Sequence, residues 1–257
     1  MTTDSFQLPL TETATPADQD ELAQQVTDCF EQQIPIYPLG GGTSLDYGLA
    51  PRRDGLGLSL AGLDKLVDFP ARDLTVTVEA GVTMATLAET VAAEGLQLPV
   101  HVPQAGQATI GGVIATNWNG PGRLGFGTIR DYVIGISAVD GKGLPFRGGG
   151  RVVKNVAGYD FCKLLTGSLG TLGVITEVTL KLKPIPPRAT TLVIPLAQLA
   201  EAEPLLSDLV QSRTTPYAVE LLSGEDWENC PGLDPASPWQ LTISCCGTED
   251  EVDWMVG

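Results

Sequence analysis

Apolar residues near the start of the chain recur every three or four positions. This spacing predicts a helix over residues 20–33 that packs one face inward and is capped by Asp18 or Asp20. The predicted inward positions are Leu22, Val26, Cys29 and Phe30. A short apolar run, Ile34 to Tyr37, follows and predicts a strand that leads into a glycine loop.

In the next part of the chain, the pattern of side chains alternates with a period of two residues. The segments "GLGLSL" (55–60) and "LTVTVE" (74–79) predict strands. Thr83 is a candidate N-cap for a helix through Leu87 and Val91 that Gly95 ends. The pattern is therefore mixed, with helices and strands in turn.

The middle of the chain predicts a hairpin and a long strand. Residues 132–139 form a strand that runs into the turn 140–143, Asp-Gly-Lys-Gly. Residues 173–183 alternate throughout, with Val174, Thr176, Val178, Leu180 and Leu182 on one face. The prolines of 183–188 stop this strand and predict a domain boundary.

Beyond that boundary the elements change in character. The sequence predicts strands at 190–194, 217–222 and 241–245, a helix over 196–210 and a helix start at Thr248. This order is typical of a small sheet covered by helices on one face. Because the chain ends inside the second helix, we expect a second domain that is truncated or completed by a partner. The fold class is thus α+β.

Composition and charge exclude several classes of protein. The net charge of -16 argues against a nucleic-acid partner, and no apolar run is long enough to predict a membrane span or a secretion signal. Five cysteines without a CxxC pair and a single histidine predict neither a metal site nor disulfides, as in a cytoplasmic protein. The vicinal pair Cys245-Cys246 is interpreted as part of a buried strand edge, the alternative being a redox-active pair.

The charge is unevenly distributed. Residues 1–37 carry -7 and residues 197–257 carry -11, whereas residues 123–163 carry +4. The bases of this basic island are Arg123, Arg130, Lys142, Arg147, Arg151, Lys154 and Lys163. It could attract an anionic ligand, or it could be an ordinary solvated face.

Three glycine-rich segments carry the candidate chemistry. The first is "PLGGGTS" (38–44), the second "TIGGVIATN" (109–117) and the third "GSLGTLGVITE" (167–177). Glycine lets the main chain approach a ligand closely, and exposed N–H groups form anion sites. In the second segment Thr109 is a candidate N-cap, which would leave free N–H groups at Gly111 and Gly112. The set predicts a long ligand that is clamped along its length, although a single such segment is more often a tight surface turn.

Taken in order with "GFGTIRDYV" (125–133) and "VDGKG" (139–143), these segments resemble the FAD-binding domain of the vanillyl-alcohol-oxidase type, also called the PCMH type. Within that family they are most similar to the FAD-binding E-type subunit of bacterial glycolate oxidase. The resemblance covers residues 9–186 as an FAD-binding domain of two parts and, more loosely, residues 187–257 as a partial cap domain.

The resemblance implies specific contacts with FAD. The pyrophosphate would meet the first segment, the ribityl chain and pyrophosphate the second, and the ribose and adenine the third. The implied residues are Pro38, Gly40, Gly41, Gly42, Thr43, Ser44, Thr109, Gly111, Gly112, Thr116, Asn117, Gly170, Gly173, Val174 and Ile175. No histidine stands beside the first segment, so we expect non-covalent FAD.

Catalytic residues are not assigned. His101, the only histidine, could be an acid-base group or a structural loop residue. Arg123, Arg130 and Lys154 could bind an anionic substrate or be surface cations.

The resemblance implies a cytoplasmic FAD-dependent oxidoreductase that oxidises a small 2-hydroxy acid, with the flavin as hydride acceptor. Its partners would be a second flavoprotein and an iron–sulfur subunit. An accessory FAD-binding subunit without its own substrate site is the alternative, and a sugar-nucleotide reductase of the same fold is a third interpretation.

Overall fold

The computed structural model describes residues 7–150, 159–227 and 230–257, so Arg151 and Lys154 of the basic island lie outside the described residues. The strands are β1 (Leu10–Ala14), β2 (Ile36–Leu39), β3 (Gly55–Ser59), β4 (Leu66–Asp68), β5 (Thr75–Glu79), β6 (Leu96–Gln97), β7 (Val133–Val139), β8 (Pro145–Gly149), β9 (Val174–Lys181), β10 (Lys183–Pro184), β11 (Arg188–Leu196), β12 (Ala218–Leu222) and β13 (Trp239–Gly247). The α-helices are α1 (Gln19–Gln32), α2 (Met84–Ala92), α3 (Ile110–Thr116), α4 (Arg123–Phe126), α5 (Phe161–Leu165), α6 (Ala202–Gln211) and α7 (Glu249–Val256). The predicted α+β class is confirmed.

The chain divides into two compact units. The first comprises Met1–Trp118 and Thr128–Pro184, and the second comprises Asn119–Gly127 and Ile185–Gly257. The predicted functional domains, 9–186 and 187–257, stay predictions. The short segment Asn119–Gly127 belongs to the second unit, where the N–H of Gly125 donates to the carbonyl of Tyr217 at 3.0 Å.

The first unit contains a parallel and an antiparallel sheet. The parallel sheet has the order β1-β3-β2, and the antiparallel sheet has the order β4-β5-β9-β7-β8. A short ladder joins β6 to β10. The larger buried cluster lies between the antiparallel sheet and the helices α2, α3 and α5, and a smaller one lies between α1 and the parallel sheet.

Helix α1 matches its prediction to within one residue. Asp18 is the N-cap and accepts a hydrogen bond from the N–H of Glu21. Phe30 was predicted to face inward and is 46% exposed, because the buried stripe ends at Cys29. Strand β2 begins two residues later than predicted.

The alternation predicted for residues 173–183 is interrupted. The pairing of β9 with β7 skips Thr176, so a bulge changes the face on which the following residues lie. Val174 therefore packs in the smaller buried cluster, while Val178 and Leu180 join Ile175 in the larger one. The Thr176 hydroxyl donates to Oε1 of Gln19 at 2.6 Å.

The second unit has an antiparallel sheet in the order β11-β13-β12, with α6 and α7 packed on it. The predicted helix start at Thr248 is confirmed, since Thr248 forms a capping box with Glu251. Cys245 and Cys246 lie on the central strand β13 rather than on a sheet edge, and they are not disulfide-bonded. In the described part of the chain no helix combines the length and apolar character needed to cross a bilayer.

Candidate functional site

A cavity of about 390 Å³ lies in the first unit. It lies at the carboxyl ends of the parallel strands β2 and β3, and α3 and the start of β9 complete its walls. Ligands of open sheets with parallel strands bind at this end because the loops that leave the strands meet there. All three glycine-rich segments contribute to the lining.

The first segment packs directly on the chain that leads into α3. A Cβ at Gly40 would overlap Oγ1 of Thr109, and a Cβ at Gly41 would overlap the carbonyl oxygen of Gln107. Gly42 has a φ of +72°, which favours glycine. Side chains at Gly40 and Gly41 would therefore separate the loop from the chain that leads into α3 and distort the cavity.

The main chain of the first segment is left with unused donors. Within the described residues, the N–H groups of 41–44 make no hydrogen bond. The Thr43 and Ser44 hydroxyls also make none among those residues. Adjacent unpaired N–H groups that line a cavity form a site for phosphate oxygens.

The second segment behaves differently from its prediction. Thr109 is the N-cap of α3, as predicted, and its Oγ1 accepts from the N–H of Gly112 at 3.3 Å. The N–H groups of Ile110 and Gly111 donate to the carbonyls of Val82 and Ala80, each at 2.9 Å. The prediction of free N–H groups at Gly111 and Gly112 is therefore wrong. The Thr116 hydroxyl is also used, since it donates to the carbonyl of Gly112 at 2.8 Å.

Glycine in the second segment serves close packing instead. A Cβ at Gly111 would lie 2.8 Å from Cβ of Ala80, nearer than two such carbons approach. Gly112 has only Oγ1 of Thr109 near its missing Cβ, and it lines the cavity. The helix thus presents bare main chain to the cavity without offering its first N–H groups.

The third segment is held to α3 by two main-chain bonds. The N–H groups of Gly167 and Leu169 donate to the carbonyls of Ile114 and Ala115 at 2.9 and 2.8 Å. Gly170 follows with a φ of +72° and lies against Pro38 of the first segment. The N–H groups of Gly170 and Gly173 make no hydrogen bond to another described residue, so this segment adds further donors at the cavity.

The cavity is electrically neutral along its described lining, which contains no Asp, Glu, Lys, Arg or His. Described members of the basic island lie elsewhere: Lys163 pairs with Asp160 at 2.8 Å, and Arg147 lies 3.9 Å from Glu177. The interpretation of an ordinary solvated face therefore holds for these two. Arg123 and Arg130 do not line the cavity either.

The structure brings nearly all the predicted site residues together. Asn117 is the exception among them: it is the exposed C-cap of α3, outside the cavity lining. His101 is exposed, next in the chain to Val102, which lines the cavity. The lining residues that the sequence reasoning missed include Tyr47, Leu60, Val102, Pro103, Trp118 and Leu169. Tyr47 and Trp118 stand beside glycine-rich segments, and this proximity is the signal that could have indicated them.

Comparison with known proteins agrees with the cradle of glycines and unused N–H groups. Residues 12–148 match a family described as an FAD binding domain. The chain belongs to this FAD-binding family. The match covers the first two glycine-rich segments and strands β2 to β7, and therefore most of the cavity wall.

The family contains relatives with clear sequence similarity. Glycolate oxidase subunit GlcD of Bacillus subtilis is 36% identical over 207 residues, which cover 80% of this chain and 44% of that protein. D-lactate dehydrogenase of Archaeoglobus fulgidus is 34% identical over 228 residues, which cover 84% of this chain and 51% of that protein. The chain thus spans about half the length of these curated relatives.

The expected similarity to the E-type glycolate oxidase chain is only one of several. Glycolate oxidase subunit GlcE of Escherichia coli is 34% identical over 166 residues, which cover 64% of this chain and 47% of that protein. GlcD matches a longer stretch at a higher identity, so the family is shown whereas a specific likeness to GlcE is not.

A solved structure of the same fold covers both units. Alkyldihydroxyacetonephosphate synthase superposes with a TM-score of 0.78 at 20% identity, over 95% of this chain and 48% of that one. At this identity the match shows the fold alone.

Proposed function

We propose that the cavity binds FAD non-covalently through its main chain. The observation that carries this proposal is the row of unused N–H groups at 41–44 beside a wall of glycines. A pyrophosphate needs donors at close range, and donors on a packed loop are already oriented for it. No histidine or cysteine occurs in the described lining, which supports a cofactor held without a covalent bond.

The three segments then have different roles. Residues 41–44 donate to the pyrophosphate, with the Thr43 and Ser44 hydroxyls beside them. Gly112 and Thr116 allow the ribityl chain to lie against α3, and Thr109 holds that helix end in place. Gly170 and Gly173 donate to the ribose and adenine part, against the apolar side chains of Val174 and Ile175.

We further propose an oxidoreductase activity on a small 2-hydroxy acid, supported by the names of the relatives, glycolate oxidase and D-lactate dehydrogenase. FAD would supply the two-electron acceptor for such a reaction: it would take the C–H hydrogen with its bonding pair, while a base would be needed for the hydroxyl proton. This chain contributes the cavity that holds and orients the acceptor. The similarity to chains named as subunits supports a role alongside other subunits.

One observation favours the alternative of an accessory FAD-binding subunit. The described lining offers neither a carboxylate nor a histidine as a base, and no cation for a substrate carboxylate. A chain with only this cavity would bind FAD and pass electrons, while the chemistry on the substrate needs groups from elsewhere.

The test has two stages. The purified chain is first titrated with FAD, and bound flavin is measured at its absorption band of about 450 nm. Binding that is released completely by denaturation supports the non-covalent site, whereas no binding overturns the proposal.

The second stage separates the two functions. Glycolate or D-lactate is added anaerobically to the FAD complex. Bleaching of the flavin supports the oxidoreductase. A flavin that stays oxidised until a partner protein is added supports the accessory role.

A further inference from the structure

An aromatic pair lies at the cavity and has no part in the phosphate site. The rings of Tyr47 and Trp118 meet edge to face, with centroids 5.8 Å apart and planes at 72°. Both residues line the cavity. The described lining has one other aromatic residue, Tyr37, whose hydroxyl donates to the carbonyl of Arg53.

Trp118 is held in place without any ligand. Its main-chain N–H donates to the carbonyl of Val113 at 3.1 Å, directly after the end of α3, and so fixes the backbone from which the ring extends. The half-buried indole packs against the larger buried cluster. A ring fixed in this way loses little conformational entropy when a ligand packs against it, so it is prepared for binding.

Tyr47 is tied to the loop that bears the unused N–H groups. Its N–H donates to the carbonyl of Ser44 at 3.3 Å, and its side chain is 48% exposed. A single loop therefore carries both the donors for a pyrophosphate and one ring of the aromatic pair. This coupling places a ring-binding surface within a few residues of the phosphate site.

FAD has two flat ring systems, one on each side of its pyrophosphate, and hydrogen-bond donors alone would leave both without a partner. Flat rings gain from contact with aromatic side chains because large apolar faces leave water together. We propose that Tyr47 and Trp118 form the wall on which one of these two rings packs, with Trp118 as its fixed part and Tyr47 as its cover. This inference rests on the proposed FAD site and adds the residues that bind a ring.

The test compares the affinity for FAD of the unaltered chain with that of Trp118→Leu, Trp118→Phe and Tyr47→Ala. Trp118→Leu should raise the Kd roughly tenfold, the order that stacking on an aromatic side chain contributes, and Trp118→Phe should recover most of the loss. Trp254→Leu is the matched control, because Trp254 is 62% exposed on α7 and does not line the cavity. Its Kd should equal that of the unaltered chain.

Fluorescence gives a readout that does not depend on activity. FAD should quench the indole emission of the unaltered chain, and Trp118→Leu should lose that quenchable component while Trp254→Leu keeps it. Titrations with ADP and with riboflavin identify the ring. If adenine packs on the pair, ADP affinity falls in Trp118→Leu; if the isoalloxazine does, riboflavin affinity falls and the emission of bound FAD rises.

The outcomes distinguish the two proposals. An unaltered chain that binds no FAD overturns the FAD site and this inference with it. An unaltered chain that binds FAD, with an unchanged Kd in Trp118→Leu shown to be folded by circular dichroism, overturns this inference alone. Should Trp118→Leu fail to fold, Tyr47→Ala at its half-exposed position decides: a Kd raised several-fold supports the wall, and an unchanged Kd overturns it.

Discussion

Gly41 lies so close to the carbonyl oxygen of Gln107 that any Cβ at residue 41 would overlap that oxygen. The contact joins the loop after β2 to the chain that enters α3. It therefore sets the width of the cavity at the row of unused N–H groups.

Gly41→Ala should accordingly widen or distort the site. We expect an unfolding free energy lower by about 1–3 kcal/mol, as for other overpacked positions, together with weaker FAD binding. Gly106→Ala is the control, because a Cβ there would meet no atom within 4 Å. Urea unfolding and FAD titration check both variants, and equal behaviour of the two would contradict the contact.

The affinity for FAD should not fall as the salt concentration rises. The described lining has no Lys or Arg, and the net charge of -16 on the chain repels a cofactor with a charged pyrophosphate. Raising ionic strength from about 50 mM to about 500 mM should leave the Kd unchanged or lower it, since salt screens repulsion. A Kd that rises tenfold over this range would show a cation at the phosphate.

The carboxylate of Asp131 stabilises the turn before β7. Hydrogen bonds from the N–H and then the hydroxyl of Thr128, at 2.8 and 2.9 Å, hold the pKa of Asp131 below its ordinary value. The carboxylate thus stabilises the fold at pH values above its ordinary pKa. This contribution disappears as the pH falls through the lowered pKa of the folded state.

Asp131→Asn should cost up to about 1 kcal/mol at neutral pH, because a neutral amide oxygen accepts these two hydrogen bonds more weakly than a carboxylate does. The difference from the unaltered chain should shrink below about pH 4, where the carboxylate of the unfolded chain becomes protonated. Urea unfolding at several pH values measures this difference in unfolding free energy. Asp64→Asn is the control, because Asp64 is exposed. A difference that stays constant down to about pH 2 would rule out the carboxylate as the cause.

Cys162 should be chemically inert. Burial, and then the charge of Asp160, raise the pKa of its thiol to about 11, so almost no thiolate forms at pH 8. Iodoacetamide should modify Cys162 far more slowly than the partly exposed Cys230, as peptide mass spectrometry can measure.

The same shift has a consequence for stability in alkali. In the unfolded chain the thiol of Cys162 ionises at a pH near its ordinary pKa, whereas in the folded chain it stays protonated up to a pH of about 11. The fold should therefore lose stability as the pH rises between these two pKa values. Cys162→Ala should remove that part of the loss. Equal alkylation rates at Cys162 and Cys230 would contradict the burial.

Local patterns in the sequence were sufficient to predict much of the secondary structure and of the cavity wall. The caps at Asp18, Thr83 and Thr109 depend on residues within one helical turn, and the structure confirms all three. Hairpin β7–β8 likewise follows from its turn residues. The glycine-rich segments identified nearly every wall of the cavity, because bare main chain is a property of the residue type itself.

Only the tertiary structure decided which main-chain donors remain for a ligand. The N–H groups of Ile110 and Gly111 are used by the carbonyls of Val82 and Ala80, about thirty residues earlier in the chain, whereas those of 41–44 meet no such acceptor among the described residues. The contact between Tyr47 and Trp118 also joins distant parts of the chain. Residue types thus determined where a ligand could approach, while hydrogen bonds and packing between distant segments decided which groups are left to bind it.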